Sequence, residues 1–372
     1  MNGPDPMSAA SVLAHAGLDR TPGQPLAPPL TPASVYMSAG QPVPGRGYGR
    51  DSNPTWEALE AALGAVEQAE AVTFASGQAA SMALMLALTA ERKRVVLPAD
   101  GYYGARVLAR MLRPYGVEAV HADLQDPGAV REAVWEAPSV LWAETPTNPL
   151  LRVADLAALG ALAAETGTPM ITDNTVATVM LQRPLDWGAV ATLYSLTKAS
   201  SGHSDVLLGA VVSRDASLLG LVRDWRSTGG GIPGPFEAWL VLRGLKTLPL
   251  RIAQQSASAQ LIAEHLAARP DVAAVHYPGL LTGTAAEVAK RQMPDGYGPL
   301  LSFEVDPGRA DAVVGAARLI VPATSLGGVE SSWERRARWA AENAPAGLIR
   351  LSAGIEPAAD LIADIDAAME VR

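Results

Sequence analysis

Short apolar runs that end in polar residues recur along the chain, and this pattern predicts the strands of an α/β protein. Three of them follow one another in the middle of the sequence, at Pro169–Thr172, Ala191–Tyr194 and Val206–Ser213. The third run is apolar and built of small residues, which is typical of a strand covered on both faces. Open α/β sheets bind ligands at the carboxyl ends of their strands, so this region predicts the centre of a binding site.

Runs of the same kind continue on the N-terminal side and are separated by helical patterns. The strands predicted there are Ala71–Phe74, Arg94–Pro98, Val117–Ala122 and Ser139–Ala143, and the helices are Thr55–Glu67, 75–90, Asp126–Glu136 and Leu156–Glu165. The first of these helices carries an apolar stripe of Trp56, Leu59, Leu63 and Val66. Asn53 is its expected N-cap, with Pro54 at the first helical position.

The two ends of the chain have a different character. Residues 1–52 are rich in Pro and Gly, have little periodicity and are expected to lie on another body as an arm. Residues 223–235 are predicted to be a polar, mobile segment, and Pro235–Ala268 a long helical region. A smaller α+β domain should follow, with strands at Val272–Tyr277, Leu300–Val305 and Gly347–Ser352 and helices at Ala310–Ala317 and Ala358–Met369. The predicted divisions are therefore 1–52, 53–235 and 236–372.

Composition narrows the class of protein. The chain has 372 residues, enough for two or three domains, with 49% hydrophobic and 18% charged residues. A net charge of −9 disfavours a nucleic-acid partner. The absence of cysteine excludes disulfides, thiolate metal sites and a cysteine nucleophile, and five scattered histidines predict no metal site. Apolar runs too short to cross a bilayer and a start without signal-peptide character predict a cytoplasmic protein with no membrane partner.

The polar residues at the strand ends form a chemically coherent set. Asp173 follows the first of the three central runs, and Ser195, Thr197 and Lys198 follow the second. A carboxylate, an amine and two hydroxyls around one ligand suit a phosphorylated pyridine aldehyde. The lysine would form an imine, the carboxylate would pair with the ring nitrogen, and the hydroxyls would bind the phosphate. Any one of these residues alone is equally consistent with a buried strand that has a polar end.

Longer motifs give the set a family resemblance. Asp173-Asn174-Thr175, Ser195-x-Thr197-Lys198 and Gly202-His203-Ser204-Asp205 with Gly209 resemble the cofactor segment of the Cys/Met-metabolism family, the pyridoxal-phosphate enzymes of transsulfuration. The resemblance runs from His15 to Glu356. It implies a fold type I pyridoxal-phosphate transferase, with a mostly parallel, seven-stranded sheet in a large cofactor-binding domain (53–235) and a smaller C-terminal α+β domain. It also implies a homo-oligomer, a tetramer built of two dimers with shared active sites, in which the arm contacts the neighbouring subunit.

The resemblance implies a role for each matching residue. Lys198 would carry the cofactor and move protons, Asp173 would pair with the ring nitrogen, and Tyr102 would stack on the ring and relay a proton as a second catalytic residue. The phosphate would be bound by Gly77, Gln78, Ser195 and Thr197, and by Tyr48 and Arg50 of a neighbouring subunit. In a loop that matches the family at Glu144-Thr145-Pro146-Thr147-Asn148-Pro149, Asn148 would lie near the ring and the substrate. Arg350 and Ser325 would bind the carboxylate of an amino-acid substrate.

Two points in the match stay open. A local alignment on the Tyr-Gly pair favours Tyr103 over Tyr102 as the stacking residue. Thr324 stands where many cystathionine γ-lyases and γ-synthases have a glutamate, which leaves the substrate undecided, although Glu330 is close by in sequence.

Several activities are compatible with the resemblance. The expected activity is that of a cystathionine γ-lyase, which releases a 2-oxo acid, ammonia and a thiol amino acid. The alternatives are γ-replacement on an activated homoserine ester, as in cystathionine γ-synthase, and the methionine γ-lyase or cystathionine β-lyase reactions. The lack of a cysteine near the stacking tyrosine disfavours methionine γ-lyase. A pyridoxal-phosphate-binding protein without catalysis is the alternative from another class.

Overall fold

The structure of the chain is a computed structural model that describes residues 7–38, 40, 45–339 and 341–371. Residues 1–6, 39 and 41–44 of the predicted arm lie outside the described residues. The strands are β1 (Glu70–Phe74), β2 (Arg94–Pro98), β3 (Glu118–Ala122), β4 (Ser139–Glu144), β5 (Met170–Asp173), β6 (Ala191–Ser195), β7 (Gly209–Ser213), β8 (Ala274–His276), β9 (Leu300–Glu304), β10 (Val321–Pro322), β11 (Ser332–Arg335) and β12 (Leu348–Ser352).

The α-helices alternate with the strands of the first half of the chain and flank those of the second. They are α1 (Ala9–Ala14), α2 (Pro54–Glu67), α3 (Gly77–Thr89), α4 (Tyr103–Leu112), α5 (Pro127–Trp135), α6 (Leu156–Thr166), α7 (Thr178–Leu181), α8 (Ala216–Gly229), α9 (Pro235–Leu245), α10 (Leu248–Ala267), α11 (Gly283–Gln292), α12 (Ala310–Ala316) and α13 (Ala358–Met369). No helix within these described ranges is both long enough and apolar enough to cross a membrane.

The chain forms two compact units, and each combines two separate segments. The first unit comprises Met1–Ala87 and Val190–Pro249, and the second comprises Leu88–Ala189 and Leu250–Arg372. The predicted domains are each one continuous segment, and their boundaries stay a prediction. The fold itself is α/β with both parallel and antiparallel strand pairs, as expected for fold type I.

The first unit holds three strands in the order β1-β7-β6, and both pairs are antiparallel. All five residues of β7 are buried, so the prediction of a strand covered on both faces is confirmed in its burial. Its direction is antiparallel nonetheless, and it begins at Gly209, three residues later than predicted. Hydrophobic periodicity reports burial and carries no information about the direction of a neighbouring strand.

The second unit contains two groups of strands. One runs in the order β5-β4-β2-β3 with parallel pairs throughout, and the other is a five-stranded sheet in the order β10-β11-β12-β9-β8. In the five-stranded sheet only β10 and β11 pair in parallel. A core that includes Phe303, Trp333 and Ile365, all fully buried, packs α10, α12 and α13 against this sheet. This sheet and its helices correspond to the predicted α+β region.

Helix α2 shows how local sequence sets an element. The Asn53 side chain accepts a hydrogen bond from the Thr55 N–H at 2.9 Å, and Pro54 occupies the first helical position, as predicted. The predicted apolar stripe is at most 4% exposed, from Trp56 to Val66. The helix ends where Gln68 adopts a left-handed conformation, with φ of 52°. The capping residues and the buried apolar stripe are therefore all consistent with a helix that begins at Pro54 and ends at Glu67.

The segment after β7 differs from its prediction. Residues 223–229 belong to helix α8, so the expectation of a mobile segment there is wrong. Asp215 caps this helix by accepting the N–H groups of Ser217 and Leu218 at 2.9 and 3.2 Å. Arg226 is buried in its last turn and pairs with Glu60 at 2.7 Å. A buried arginine that is paired within the fold reads as a polar surface residue in the sequence. The predicted long helix that follows is two helices, α9 and α10.

Part of the predicted arm lies on its own unit. The carbonyl of Pro28 accepts the indole N–H of Trp239 at 2.9 Å, and the carbonyl of Thr31 accepts the side-chain N–H of Asn53 at 2.8 Å. Elsewhere the arm leaves apolar side chains in solvent, with Met37 97% and Leu26 80% exposed. The arm is thus anchored at residues 28–31, and other parts of it offer apolar surface.

Gly209 is packed closely against the main chain of the first unit. It pairs with Phe74 of β1 on one side and with Ser195 of β6 on the other. A Cβ atom at this position would lie 2.6 Å from the Ser76 carbonyl carbon and 2.7 Å from the Gly77 Cα. Main-chain atoms cannot yield as a flexible side chain can, so glycine is required at this position.

We predict that Gly209→Ala lowers the free energy of unfolding by about 1–3 kcal/mol, because the new methyl group overlaps main-chain atoms. Gly220→Ala is the matched control. Gly220 lies inside α8 with no atom within 4 Å of its would-be Cβ, so alanine there should stabilise by roughly 0.5–1 kcal/mol. Denaturant unfolding of both variants tests this, and equal effects would contradict the packing argument.

Candidate active site

The residues predicted for the site divide between the two units. The first unit carries those assigned to the phosphate and to the amine, which are Tyr48, Arg50, Gly77, Gln78, Ser195, Thr197 and Lys198. The second unit carries those assigned to the ring and the substrate, which are Tyr102, Asn148, Asp173, Ser325 and Arg350. Each set has its own geometry.

In the first unit, the start of α3 meets the end of β6. A Cβ atom at Gly77 would lie 3.0 Å from the Ser195 Oγ, so the first turn of the helix and this hydroxyl are in close proximity. The Ser76 Oγ accepts the Ala79 N–H at 3.1 Å and fixes the turn. A helix N-terminus offers N–H groups and a positive dipole end to an anion. Together with Ser195, it forms a small cradle suited to a phosphate.

The turn after β6 fixes the main chain around Lys198. The Lys198 N–H donates to the Ser195 carbonyl at 3.2 Å, and the Lys198 carbonyl accepts the Gly202 N–H at 2.9 Å. Thr197 and Leu208 close the loop, because the Leu208 N–H donates to the Thr197 Oγ1 at 3.0 Å and the Thr197 N–H to the Leu208 carbonyl at 3.2 Å. The amine therefore stems from a rigid turn at the end of β6, as predicted from the polar end of this strand.

Tyr48 and Arg50 form a pair of their own. The Arg50 guanidinium lies 5.4 Å from the centre of the Tyr48 ring, and Tyr48 is 47% exposed. The Arg50 Nη1 also reaches the Ser227 carbonyl at 3.5 Å. A guanidinium held against an exposed ring keeps its fork of donors in one orientation.

In the second unit, Glu144 organises the loops after β2 and β4. One carboxylate oxygen accepts the Tyr102 N–H at 2.7 Å, and the other accepts the Asn148 N–H at 2.8 Å. Glu144 is buried and is the β-sheet partner of Asp173 on the adjacent parallel strand. Burial, and then the charge of Asp173, raise the pKa of Glu144 well above its usual range. In the sequence, Glu144 is only the first residue of the motif that ends at Pro149. Its position at the end of a predicted strand is the one signal that points to a role in the site.

The two adjacent tyrosines have different surroundings. Burial, then Tyr103, then the carboxylates of Asp173 and Glu144 raise the pKa of Tyr102 to about 12. Tyr103 lies with its ring centre 4.9 Å from that of Tyr102 and lines a separate cleft beside β3. The influence of Asp173 on Tyr102 favours Tyr102 over Tyr103 as the residue of the cofactor site. The assignment stays a prediction.

Arg350 lies on β12 and has three hydrogen-bond partners. Its Nη1 donates to the Asn148 Oδ1 at 2.8 Å, and its Nη2 donates to the Ser325 carbonyl at 2.8 Å and to Glu334 at 3.0 Å. The residue is 4% exposed. Burial, and then the charge of Arg336, lower the pKa of Arg350 to about 10, so the guanidinium stays charged at neutral pH. Asn148, Ser325 and Arg350 are therefore brought together, as the resemblance implies.

Glu334 is a member of this cluster that the sequence did not reveal. It is 1% exposed, forms an ion pair with Arg336 as well as with Arg350, and accepts the indole N–H of Trp339 at 2.9 Å. Burial acts to raise the pKa of Glu334, but the bond from Trp339 and the charges of Arg336 and Arg350 outweigh it and lower the pKa. Arg336 also pairs with Glu342. Its strand, Ser332–Arg335, contains a single apolar residue, Trp333, so the hydrophobic pattern gives no signal there.

Thr324 is tied to the same carboxylate. Its hydroxyl acts on Glu334 and helps to lower the pKa of that carboxyl. Glu330, the other acidic residue of the loop, is exposed. A glutamate next to Arg350 is thus supplied from β11, whereas position 324 contributes a hydroxyl.

We predict that Glu334→Gln lowers the free energy of unfolding by about 3–5 kcal/mol, because it leaves two buried guanidinium groups with one carboxylate fewer. Since the folded pKa of Glu334 is lowered, its contribution is present above the unfolded pKa of about 4.3 and is lost as the pH falls through the folded value. The deficit of the variant should therefore shrink in acid. Urea unfolding at several pH values measures it.

Glu330→Gln is the control for this experiment, because it makes the same change four residues away at an exposed site. It should alter the free energy of unfolding by no more than about 0.5 kcal/mol. A deficit for Glu334→Gln that is no larger than that of the control would contradict the ion-pair account.

Comparison with known proteins places the chain in a family. The family described as Cys/Met metabolism PLP-dependent enzyme matches residues 10–370. The cystathionine γ-synthase of Mycobacterium bovis is 41% identical over 333 residues, which cover 87% of this chain and 86% of that protein. The cystathionine γ-lyase of Bacillus subtilis is 37% identical over 381 residues, which cover 98% of this chain and all of the relative.

A solved structure agrees with these matches. CalE6 from Micromonospora echinospora, described as a cystathionine γ-lyase and also as a methionine γ-lyase, superposes with a TM-score of 0.91 at 39% identity and covers 98% of this chain and 100% of its own. The family match spans nearly the whole sequence, and the structure supplies the same α/β fold. The chain belongs to the Cys/Met-metabolism family of pyridoxal-phosphate-dependent enzymes.

Proposed function

We propose that the chain is a carbon–sulfur lyase of sulfur amino-acid metabolism that eliminates the γ-substituent of cystathionine or of a related thioether amino acid. The products would be a 2-oxo acid, ammonia and a thiol amino acid. The observation that carries this proposal is the buried Arg350, held between Asn148 and Ser325, which suits the carboxylate of an amino acid. Relatives named cystathionine γ-lyase and γ-synthase support the same substrate class.

The residues of the chain fit the cofactor of its family. Gly77 and Gln78 at the start of α3, with Ser195 and Thr197, would bind the phosphate, and Lys198 would hold the aldehyde carbon. Asp173, Tyr102 and Asn148 would bind the ring. The fit to the cofactor phosphate rests on the cradle at Gly77. A Cβ atom there would meet Ser195, so a side chain would be crowded at this position, and the donors to the phosphate would be main-chain N–H groups. When bound, pyridoxal phosphate supplies an acceptor for the electrons released at the substrate Cα.

Proton transfer would then depend on three side chains. The Lys198 Nζ would take the proton from the substrate Cα, which requires its pKa to fall below the usual value of about 10.4. The Asp173 carboxylate would retain a proton on the pyridine nitrogen. Tyr102, with its pKa raised to about 12, is a neutral phenol at physiological pH and would act as a hydrogen-bond donor rather than as a base.

Arg350 would orient the substrate. Its Nη2 donates two hydrogen bonds and its Nη1 donates one. The guanidinium is therefore held from two sides before a substrate binds. A guanidinium held in this way binds a carboxylate with little loss of side-chain freedom. The negative charge of Glu334 neutralises part of the positive charge of Arg350. Burial therefore raises the affinity of Arg350 for a substrate carboxylate by less than it would without Glu334.

The alternative reaction is γ-replacement, in which a thiol takes the place of the ester group on the γ-carbon of an activated homoserine, and that group leaves as an anion. The named relatives include enzymes of both kinds, and the position that often carries a glutamate is Thr324, whose hydroxyl helps to lower the pKa of Glu334. Position 324 carries no charge, so it favours cystathionine less than a glutamate would, and shorter thioether amino acids are also candidate substrates. Product identification separates the two reactions.

We predict that the purified enzyme forms 2-oxobutanoate and cysteine from cystathionine without an added thiol. Lys198→Ala should lower kcat by about 10²–10⁴-fold or more, because the proposed base is removed. Chromatographic identification of the 2-oxo acid and the thiol over a panel of sulfur amino acids and homoserine esters measures this. Turnover confined to an activated homoserine ester plus cysteine would support the synthase, and a bound cofactor whose spectrum no amino acid changes would support a non-catalytic protein.

We also propose that the enzyme is a homo-oligomer in which Tyr48 and Arg50 serve the phosphate of a neighbouring subunit, with a homotetramer built of two dimers in the cytoplasm as the expected form. The exposed Tyr48–Arg50 pair and the exposed apolar residues of the arm support this proposal.

A mixture of Arg50→Ala and Lys198→Ala chains tests the shared site. Hybrid dimers would contain one site with both residues intact, so the mixture should regain up to about a quarter of the activity of the wild type if each dimer has two sites and subunits mix at random. Activity after co-refolding measures this, with each variant refolded alone as the control. Absence of any recovery, with hybrids shown by mass spectrometry, would contradict a shared site.

A further inference from the structure

A basic cleft in the second unit lies outside the residues assigned to the reaction. It has a volume of about 710 Å³ and lies between α4 and β3. Its charged lining consists of Arg106, Arg110 and Arg113 together with Glu118, and His121 lies on the β3 side. Three arginines in one cleft stand out in a chain whose net charge is −9.

The arginines form a row along one helix face. Their spacing of four and then three residues puts them on the same side of α4 and of the turn that follows it. At 1.5 Å per residue the row is about 10 Å long. Arg106 is the most enclosed of the three and donates to the carbonyls of Ala99 and Ala341 at 3.4 and 3.2 Å. One end of the row is therefore anchored.

The acidic residue of the lining does not neutralise this row. Glu118 accepts a hydrogen bond from the Nε of Arg94 at 2.8 Å, and the same arginine pairs with Glu136 at 2.6 Å. Within the part of the chain that the structure describes, the side chains of Arg110 and Arg113 form no ion pair or hydrogen bond with a carboxylate. Two guanidinium forks thus face the cleft with their donors available.

We propose that this cleft binds a chain of phosphate groups, either an inorganic oligophosphate or the phosphate tail of a nucleotide. Each arginine fork matches the oxygens of one phosphate in a bidentate pair, and a row of about 10 Å requires a ligand with several anionic groups in line. A single carboxylate or phosphate would engage one fork only. His121 and Tyr103 also line the cleft beside the row.

The test is titration of the holoenzyme, with the cofactor already bound, using tripolyphosphate, ATP and citrate as separate probes in isothermal calorimetry. Cofactor absorbance is followed in parallel, to show that the probe does not displace pyridoxal phosphate. We expect saturable binding of tripolyphosphate or ATP. Equal affinities would indicate recognition of the phosphate chain alone, and tighter binding of ATP would indicate a nucleotide as the source of the same chemistry.

The variant Arg106→Gln, Arg110→Gln, Arg113→Gln should bind at least about tenfold more weakly. Its control removes three exposed arginines that do not line the cleft, Arg20, Arg243 and Arg318, and makes the same change in net charge. Because Arg106 makes bonds within the fold, the double variant Arg110→Gln, Arg113→Gln is measured as well. No saturable binding, citrate binding as tight as that of tripolyphosphate, or equal weakening in the control would overturn the proposal.

Discussion

The second unit depends on one buried carboxylate that two main-chain N–H groups hold in place. Glu144 accepts the N–H of Tyr102 from the loop after β2 and the N–H of Asn148 from its own loop. The Asn148 side chain then accepts from Arg350, which in turn donates to Glu334. Four strands thereby share one hydrogen-bonded network. An unsatisfied N–H in such a buried place would cost about 1–3 kcal/mol, so the loops have little freedom to rearrange separately.

The elements that could be predicted from the sequence are those that depend on residues close to one another along the chain. Asn53 and Pro54 begin α2 through contacts within three residues, and the bounds of β2 and α13 follow from apolar runs alone. The direction of β7 has no such cause, since an antiparallel and a parallel strand can carry the same pattern. Arg226 was unpredictable for a related reason, because its partner Glu60 lies 166 residues away in sequence.

The same distinction explains the site. Lys198, Asp173 and Arg350 could be proposed because each belongs to a motif, yet the contact between Arg350 and Asn148 spans 202 residues. Glu334 belongs to no motif and is recognisable only when β11 pairs with β12, which sets Glu334 opposite Arg350. Thr324 is a further case, because its hydroxyl acts on the carboxylate of Glu334, which belongs to β11. The surroundings of Arg350 therefore depend on a tertiary arrangement that no single stretch encodes.

The adjacent tyrosines at the start of α4 give the helix a double role. Tyr102 responds to the charges of Glu144 and Asp173, and Tyr103, in ring contact with it, lines the arginine cleft. A ligand in the cleft that displaced α4 would move both rings at once, and it would then change the surroundings of Tyr102 as well. Such linkage is reciprocal for binding free energies. If a ligand in the cleft changes the affinity of the enzyme for its amino-acid substrate by some factor, the substrate changes the affinity of the cleft for its ligand by the same factor.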